Sequence, residues 1–200
     1  MTKFVFYFFF VISSIHSFFL SKTALSFGTS ISNLSGSSSL AATKYPIYCD
    51  EDVMNQKSHG TCVGGVMKNL RWNCELNTAD RICCYNRHYA EYAGYWEKTS
   101  FLKEADKDKE ITFYDSVTGK PLFIAPRGRS FEDFRKESAS HGWPSFRDNE
   151  VVWENVRCLK NGEAVSVDGT HLGHNLPDRN GNRYCINLVS VAGYPAEGSK

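Results

Sequence analysis

Two histidines three residues apart, His171 and His174, are followed by Asp178 and then by Arg183, which stands two residues before Cys185. These are parts for an activated thiolate. A nearby cation lowers a thiol's pKa, and the thiolate rather than the thiol is the nucleophile. A histidine takes up or gives up a proton near neutral pH. Each part also has a plainer use. A cysteine in a β-type run packs as a small hydrophobe, a tryptophan such as Trp143 fills a core, and a histidine satisfies a local hydrogen bond.

The elements that must position these residues are short. From Ile111 onward, β-type runs alternate with turns: ITFYDSV before Thr-Gly, PLFIAP before Arg-Gly-Arg, VVWENVRCL before Asn-Gly, then AVSVDGT and RYCINLVSVAG. Such punctuation predicts a mainly β, mostly antiparallel domain over residues 101–195, whose first ten residues (FLKEADKDKE) form a charged connector. Residues 45–100 differ, being rich in aromatics and containing Cys49, Cys62, Cys74, Cys83 and Cys84. Asn77 or Thr78 is expected to cap a helix, with Asp80 in its first turn. Ile82, Tyr85, Tyr89, Tyr92 and Trp96 recur at spacings of three and four, which predicts an amphipathic helical stripe packed on the following domain. Residues 196–200 form a loose tail.

Charge is distributed unevenly. The 23 basic and 22 acidic residues leave a formal +1, yet every acid lies at or beyond Asp50. Only Lys3, Lys22 and Lys44 carry charge before that point, so the remainder is −2. A near-neutral, slightly acidic body argues against nucleic-acid binding through a basic face. The head has its own grammar. Residues 4–20 are an apolar run behind Lys3, and 1–26 are expected to be a signal peptide; as a membrane span the run would sit at the bottom of the length range. Residues 27–44 are Ser-rich and acid-free, in keeping with a transit peptide or a linker. With Phe27 at the junction, the pair resembles the bipartite presequence of algae with secondary plastids, which implies a plastid protein; simple secretion is the alternative. Neither address leaves a stable membrane association after processing.

Seven cysteines is an odd number, and none of their spacings is C-x-x-C, which weakens both a zinc ribbon and a thioredoxin-type motif. A set of Cys158, His171, His174 and Cys185 has a close histidine pair but no close cysteine pair. In a simply secreted chain the five N-terminal cysteines would be structural disulfides.

Three stretches read together go further: Gly142-Trp-Pro-Ser-Phe146, then His171-Leu-Gly-His174 with Pro177-Asp178, then Arg183-Tyr-Cys-Ile-Asn187. In order and wording they resemble the B-type methionine-R-sulfoxide reductases, over roughly residues 111–192. The resemblance implies a tent-like pair of antiparallel sheets, preceded here by the short helical, cysteine- and aromatic-rich extension. It implies that Cys185 attacks the sulfoxide sulfur, that His171 and His174 with Asp178 protonate the departing oxygen, and that Arg183 favours the thiolate. Trp143 would wall the substrate's S-methyl group, with Phe146 and Asn187 also in the substrate site. Cys185 would be left as a sulfenic acid and restored through a disulfide by thioredoxin or a similar dithiol. Substrates would be free or protein-bound methionine-R-sulfoxide, and the protein a monomer.

Two departures stand out. Asp115 and Thr118 occupy the place of one family zinc-binding pair, and only Cys158 remains of the other, so no family-type zinc and no other cofactor is expected. Something else must tie the sheets together, the N-terminal aromatic helix being one choice. The usual resolving cysteine is also missing, leaving Cys158, Cys84, Cys83 or another of the N-terminal group, or the external reductant directly, to resolve Cys185. The rival readings are a non-catalytic tent-fold binding or chaperone-like module, and a secreted disulfide-stapled structural protein.

Overall fold

The structure, a computed structural model, describes residues 45–196 and Gly198. The expected signal and transit segments lie outside the described residues, as does most of the tail. Among the described residues, seven strands form two antiparallel sheets that do not close into a barrel. Strands β1 (Ile111–Tyr114) and β2 (Pro121–Ala125) make a hairpin across the expected Thr-Gly turn. The larger sheet runs in the order β3 (Ser145–Phe146), β7 (Tyr184–Ile186), β6 (His171–Asn175), β5 (Glu163–Ser166), β4 (Val156–Cys158).

Helical and strand segments have comparable weight, so the domain is a mixed α and β fold rather than mainly β. Helix α1 (Leu76–Asp80) continues into a π-helical turn (Arg81–Tyr85), and α2 (Tyr95–Lys98) and α3 (Phe101–Glu104) follow. The longest helix, α4 (Phe131–His141), has no counterpart in the β-type reading of this region. Its ends are nonetheless written locally. Ser130 Oγ accepts from the Asp133 N–H at 3.1 Å, and Gly142 closes the helix at φ 90°. Only Phe131 and Phe134 among its large apolar side chains face the core, too short a stripe to announce a helix.

The cap of α1 is Glu75 rather than Asn77 or Thr78, its carboxylate accepting from the N–H groups of both (2.9 and 2.6 Å). The expected tyrosine stripe also breaks. The chain leaves helical geometry at Asn86, and although Ile82 and Trp96 are fully buried, Tyr85, Tyr89 and Tyr92 are exposed. Beyond the break, Glu91 is buried and accepts the Leu188 and Val189 N–H groups at 2.6 and 3.2 Å.

Packing does follow expectation. Trp72, Ile82, Trp96 and Phe101 share one core with Phe113, Phe123, Phe146 and Ile186, and Phe123 and Phe146 stack at 4.3 Å. Each such buried side chain contributes about 1.5–3 kcal/mol, against ~0–1 for an exposed ion pair, so aromatic packing holds the 72–101 segment in place. Residue 100 is therefore no packing boundary, and Phe101, at the head of the supposed connector, is fully buried. Between the sheets, the buried Asp115 carboxylate accepts from the Val117 N–H (2.8 Å) in the hairpin turn and from Thr170 Oγ1 (3.0 and 3.1 Å) at the head of β6. Asp115, in the place of one residue of a zinc-binding pair, supplies that tie.

Candidate active site

The large sheet places its chemistry by register. On β7, Cys185 lies between Ser145 of β3 on one side and His174 of β6 on the other, and His174 in turn faces Glu163 of β5. Tyr184 and Ile186, its neighbours along the strand, point into the core and are fully buried, so Cys185 points the other way and is partly exposed. Two residues three apart on a regular strand face opposite sides. Here Ala164 pairs with Gly173 but Val165 with His171, so Leu172 is an extra residue and both histidines emerge on the Cys185 face. Leu172 itself is fully buried. Gly173 allows the strands to meet at this bulge, since a Cβ there would lie 2.1 Å from the Cys185 carbonyl oxygen.

A cavity of about 390 Å³ opens on this face, lined by Cys185, His171, His174, Trp143 and Asn187, and walled by Arg87–Ala90 and Leu176. Five of the eight catalytic and substrate-binding residues expected from sequence therefore share one cavity. Trp143 is fixed through Nε1, which donates to the Glu91 carbonyl at 3.0 Å. Asn187 is spent on structure: Nδ2 donates to the Leu172 carbonyl (3.1 Å), and Oδ1 accepts from the Glu91 N–H (3.2 Å).

The remaining three differ. Phe146 points into the core against Phe123 and does not line the cavity, because it alternates with Ser145 along β3. Asp178 touches neither histidine. It pairs with Arg147 (2.8 and 3.1 Å) and lies 3.5 Å from Arg183 Nε, and Arg147 draws its carboxyl down to about 2. Arg183 is buried beside the Cys185 thiol, with Nε and Nη1 making no hydrogen bond. Its charge lowers the thiol's pKa, but burial outweighs it and the net direction is upward, so Arg183 alone does not hold a resting thiolate.

The carboxylate that does serve a histidine is Glu163, which spacing arguments overlooked. His171 Nδ1 lies 2.8 Å from Glu163 Oε1, and Arg87 grips the same carboxylate through Nε and Nη2 (3.0 and 2.6 Å). Burial would raise the Glu163 carboxyl, but the hydrogen bonds from His171 and Arg87 prevail and bring it to about 2. Its only sequence signal is an acid inside an apolar strand, Glu163 before Ala-Val. Burial, and the charge of His171, push His174 downward, which favours its neutral form. Beneath the cavity, burial raises Glu91 to about 7 against the opposing Leu188 and Val189 N–H groups.

The candidate resolving cysteines stand elsewhere. Cys84 is bonded to Cys62, and Cys83 is fully buried with its Sγ 3.6 Å from Ser190 Oγ. Cys158 shares a register row with Ala164, Gly173 and Ile186, three strands from β7 and on the core face. At about 4.8 Å per strand this is ~14 Å, twice the reach of a disulfide. The same separation rules out the Cys158, His171, His174, Cys185 metal set. Lining a separate pocket, Glu137, His141 and Asp178 converge, but Arg147 engages both carboxylates and opposes a cation there. Among the described residues, no helix is long and apolar enough to cross a membrane. No protein-family model matches the chain.

Proposed function

We propose that the protein is a peptide-methionine (R)-S-oxide reductase with Cys185 as its nucleophile. The observation that carries this reading is the convergence of Cys185, two histidines and Trp143 on one cavity. In the proposed cycle, neutral His174 takes the Cys185 proton as the sulfur attacks the sulfoxide sulfur. The Arg183 guanidinium, buried beside the thiol, favours the developing thiolate. His171, backed by Glu163 and Arg87, keeps a proton source at the leaving oxygen. As the S–O bond breaks, the hydroxyl passes to the Cys185 sulfur, the transient bond between the two sulfurs opens and methionine leaves, so that Cys185 becomes a sulfenic acid with no net change in protons. A dithiol such as thioredoxin then condenses with the sulfenic acid, releasing water, and its second thiol frees Cys185. Direct resolution by this external dithiol fits the separation of Cys158 from β7, the burial of Cys83 and the engagement of Cys84 with Cys62.

The test is to offer R and S epimers of peptidyl methionine sulfoxide, with a dithiol, to the wild type and to Cys185→Ser. Reduction of the R epimer by the wild type alone is expected. Turnover of neither epimer sinks the enzyme reading in favour of a non-catalytic module, and equal turnover of both removes the stereochemical assignment.

A further inference from the structure

A second cluster of sulfur, imidazole and carboxylate lies away from the cavity. His59 and Cys62 close a tight turn with reciprocal backbone hydrogen bonds, His59 N–H to Cys62 O at 2.9 Å and Cys62 N–H to His59 O at 3.0 Å. Asp80 ends α1, and Cys84 follows it by one helical turn, so both project from one face. The turn is pressed onto that helix end. The Thr61 N–H donates to the Cys84 carbonyl at 2.8 Å, and at Gly60 (φ 61°) a Cβ would stand 1.9 Å from that oxygen. The chain thus presents H-x₂-C and D-x₃-C pairs side by side, two close pairs of the kind that structural metal sites use.

Three of the four donor atoms already converge, and the fourth is one bond away. A ring nitrogen of His59, a carboxylate oxygen of Asp80 and Cys84 Sγ all lie within 4.8 Å of one another, and Cys62 Sγ is bonded to Cys84 Sγ. Tetrahedral zinc with bonds of about 2.0–2.3 Å needs donors ~3.3–3.8 Å apart, so the His59–Asp80 contact must open slightly from 2.8 Å and the two sulfurs must separate once their bond is broken, while the longer distances close. His59 is oriented for it. Nε2 faces Asp80 (2.8 Å), while Nδ1 meets the Tyr85 hydroxyl at 3.1 Å, the kind of outer contact that fixes a metal-bound imidazole. His59 and Asp80 are about one-third exposed, which leaves an ion a way in, whereas both sulfurs are buried.

We propose that reduction of the Cys62–Cys84 disulfide converts this cluster into a site for one Zn²⁺, held by His59, Cys62, Asp80 and Cys84. A dithiol supplies two electrons and two protons, becoming a disulfide itself as the Cys62–Cys84 bond opens to two thiols. Zinc then binds both sulfurs as thiolates and releases two protons. A peroxide, taking two electrons from the pair and leaving as water, restores the disulfide and expels the ion.

The full-length chain is prepared oxidised and phosphine-reduced, exposed to Zn²⁺, freed of excess metal and analysed for zinc; Co²⁺ is used in parallel. The expected result is one zinc per reduced chain and none per oxidised chain. Cobalt in the reduced protein should show thiolate charge-transfer absorption and the intense visible bands of tetrahedral coordination. His59→Gln and Asp80→Asn should weaken binding by more than the roughly 10–100-fold that loss of an outer-shell group costs, and Cys185→Ser should keep full stoichiometry. Absence of zinc from the reduced wild type overturns the proposal without recourse to any variant. So does equal zinc in the oxidised form, or zinc retained when Cys62 and Cys84 are both serine.

Discussion

The Cys185 cavity and the Cys62–Cys84 cluster are built from the same parts, cysteine, histidine and carboxylate, and differ in what each histidine meets. At Cys185 the carboxylate stands behind the imidazole: Glu163 takes His171 Nδ1 and leaves the rest of the ring to the cavity. At Cys84 the carboxylate and Cys84 Sγ converge on the same imidazole, and a second cysteine is bonded to Cys84. The first arrangement suits proton traffic beside a single accessible thiol. The second suits a closed coordination shell or a staple. The difference teaches that residues of the same composition make different sites according to their placement around the ring.

Cys185→Ser gives the sharpest version of this contrast, with R-sulfoxide turnover expected to fall by at least about 10³-fold, the scale on which losing a covalent nucleophile registers. Next is Glu163→Gln, which removes the charge behind His171 and beneath Arg87. A drop in kcat/KM of about 10²-fold is expected from weakened acid–base work, with ~3–5 kcal/mol lost in chemical denaturation because a buried pair is broken. The Glu163 contribution is fully present above its ordinary 4.5 and lost as the pH falls toward about 2. Unchanged turnover in Glu163→Gln would detach that carboxylate from the site.

Serine at both Cys62 and Cys84 should cost about 3 kcal/mol of stability, from opening a loop with a sequence separation of 22, while turnover per folded molecule is held. A parallel loss of turnover would mean that the two regions are not separate. Glu91→Gln probes the buried carboxylate whose backbone holds Trp143 and Asn187. Because burial raises the Glu91 carboxyl from 4.5 to about 7, the folded protein binds more protons than the unfolded chain in that window, so stability should fall as the pH rises through it. Denaturation midpoints across that range should lose this slope in the variant. The smallest effect belongs to Asp178→Asn, which removes an exposed pair worth ~0–1 kcal/mol and should leave kcat/KM little changed. A loss on the scale of Glu163→Gln would return Asp178 to the histidines.

Much of the architecture was legible. The turn dipeptides marked strands that the structure contains, and the ordered motifs around Trp143, His171 and Cys185 came from strands that meet at one cavity. Phe146 and Asp178 misled because neighbours in a motif need not share a face, and strand alternation sends Phe146 into the core. Tyr89 and Tyr92 carried helical spacing, but spacing alone does not compel a helix, and the chain leaves helical geometry at Asn86 before it reaches them.

By itself the sequence determined where the punctuation falls, which residues carry chemistry, and that the head differs in kind from the body, because all three are local or compositional properties. Only the tertiary structure decided that Leu172 is a bulge, that Glu163 rather than Asp178 backs His171, and that Cys84 joins Cys62 beside His59 and Asp80. Those outcomes depend on cross-strand register and on packing between segments distant in the chain, and neither is encoded in the spacing of residues along a single strand.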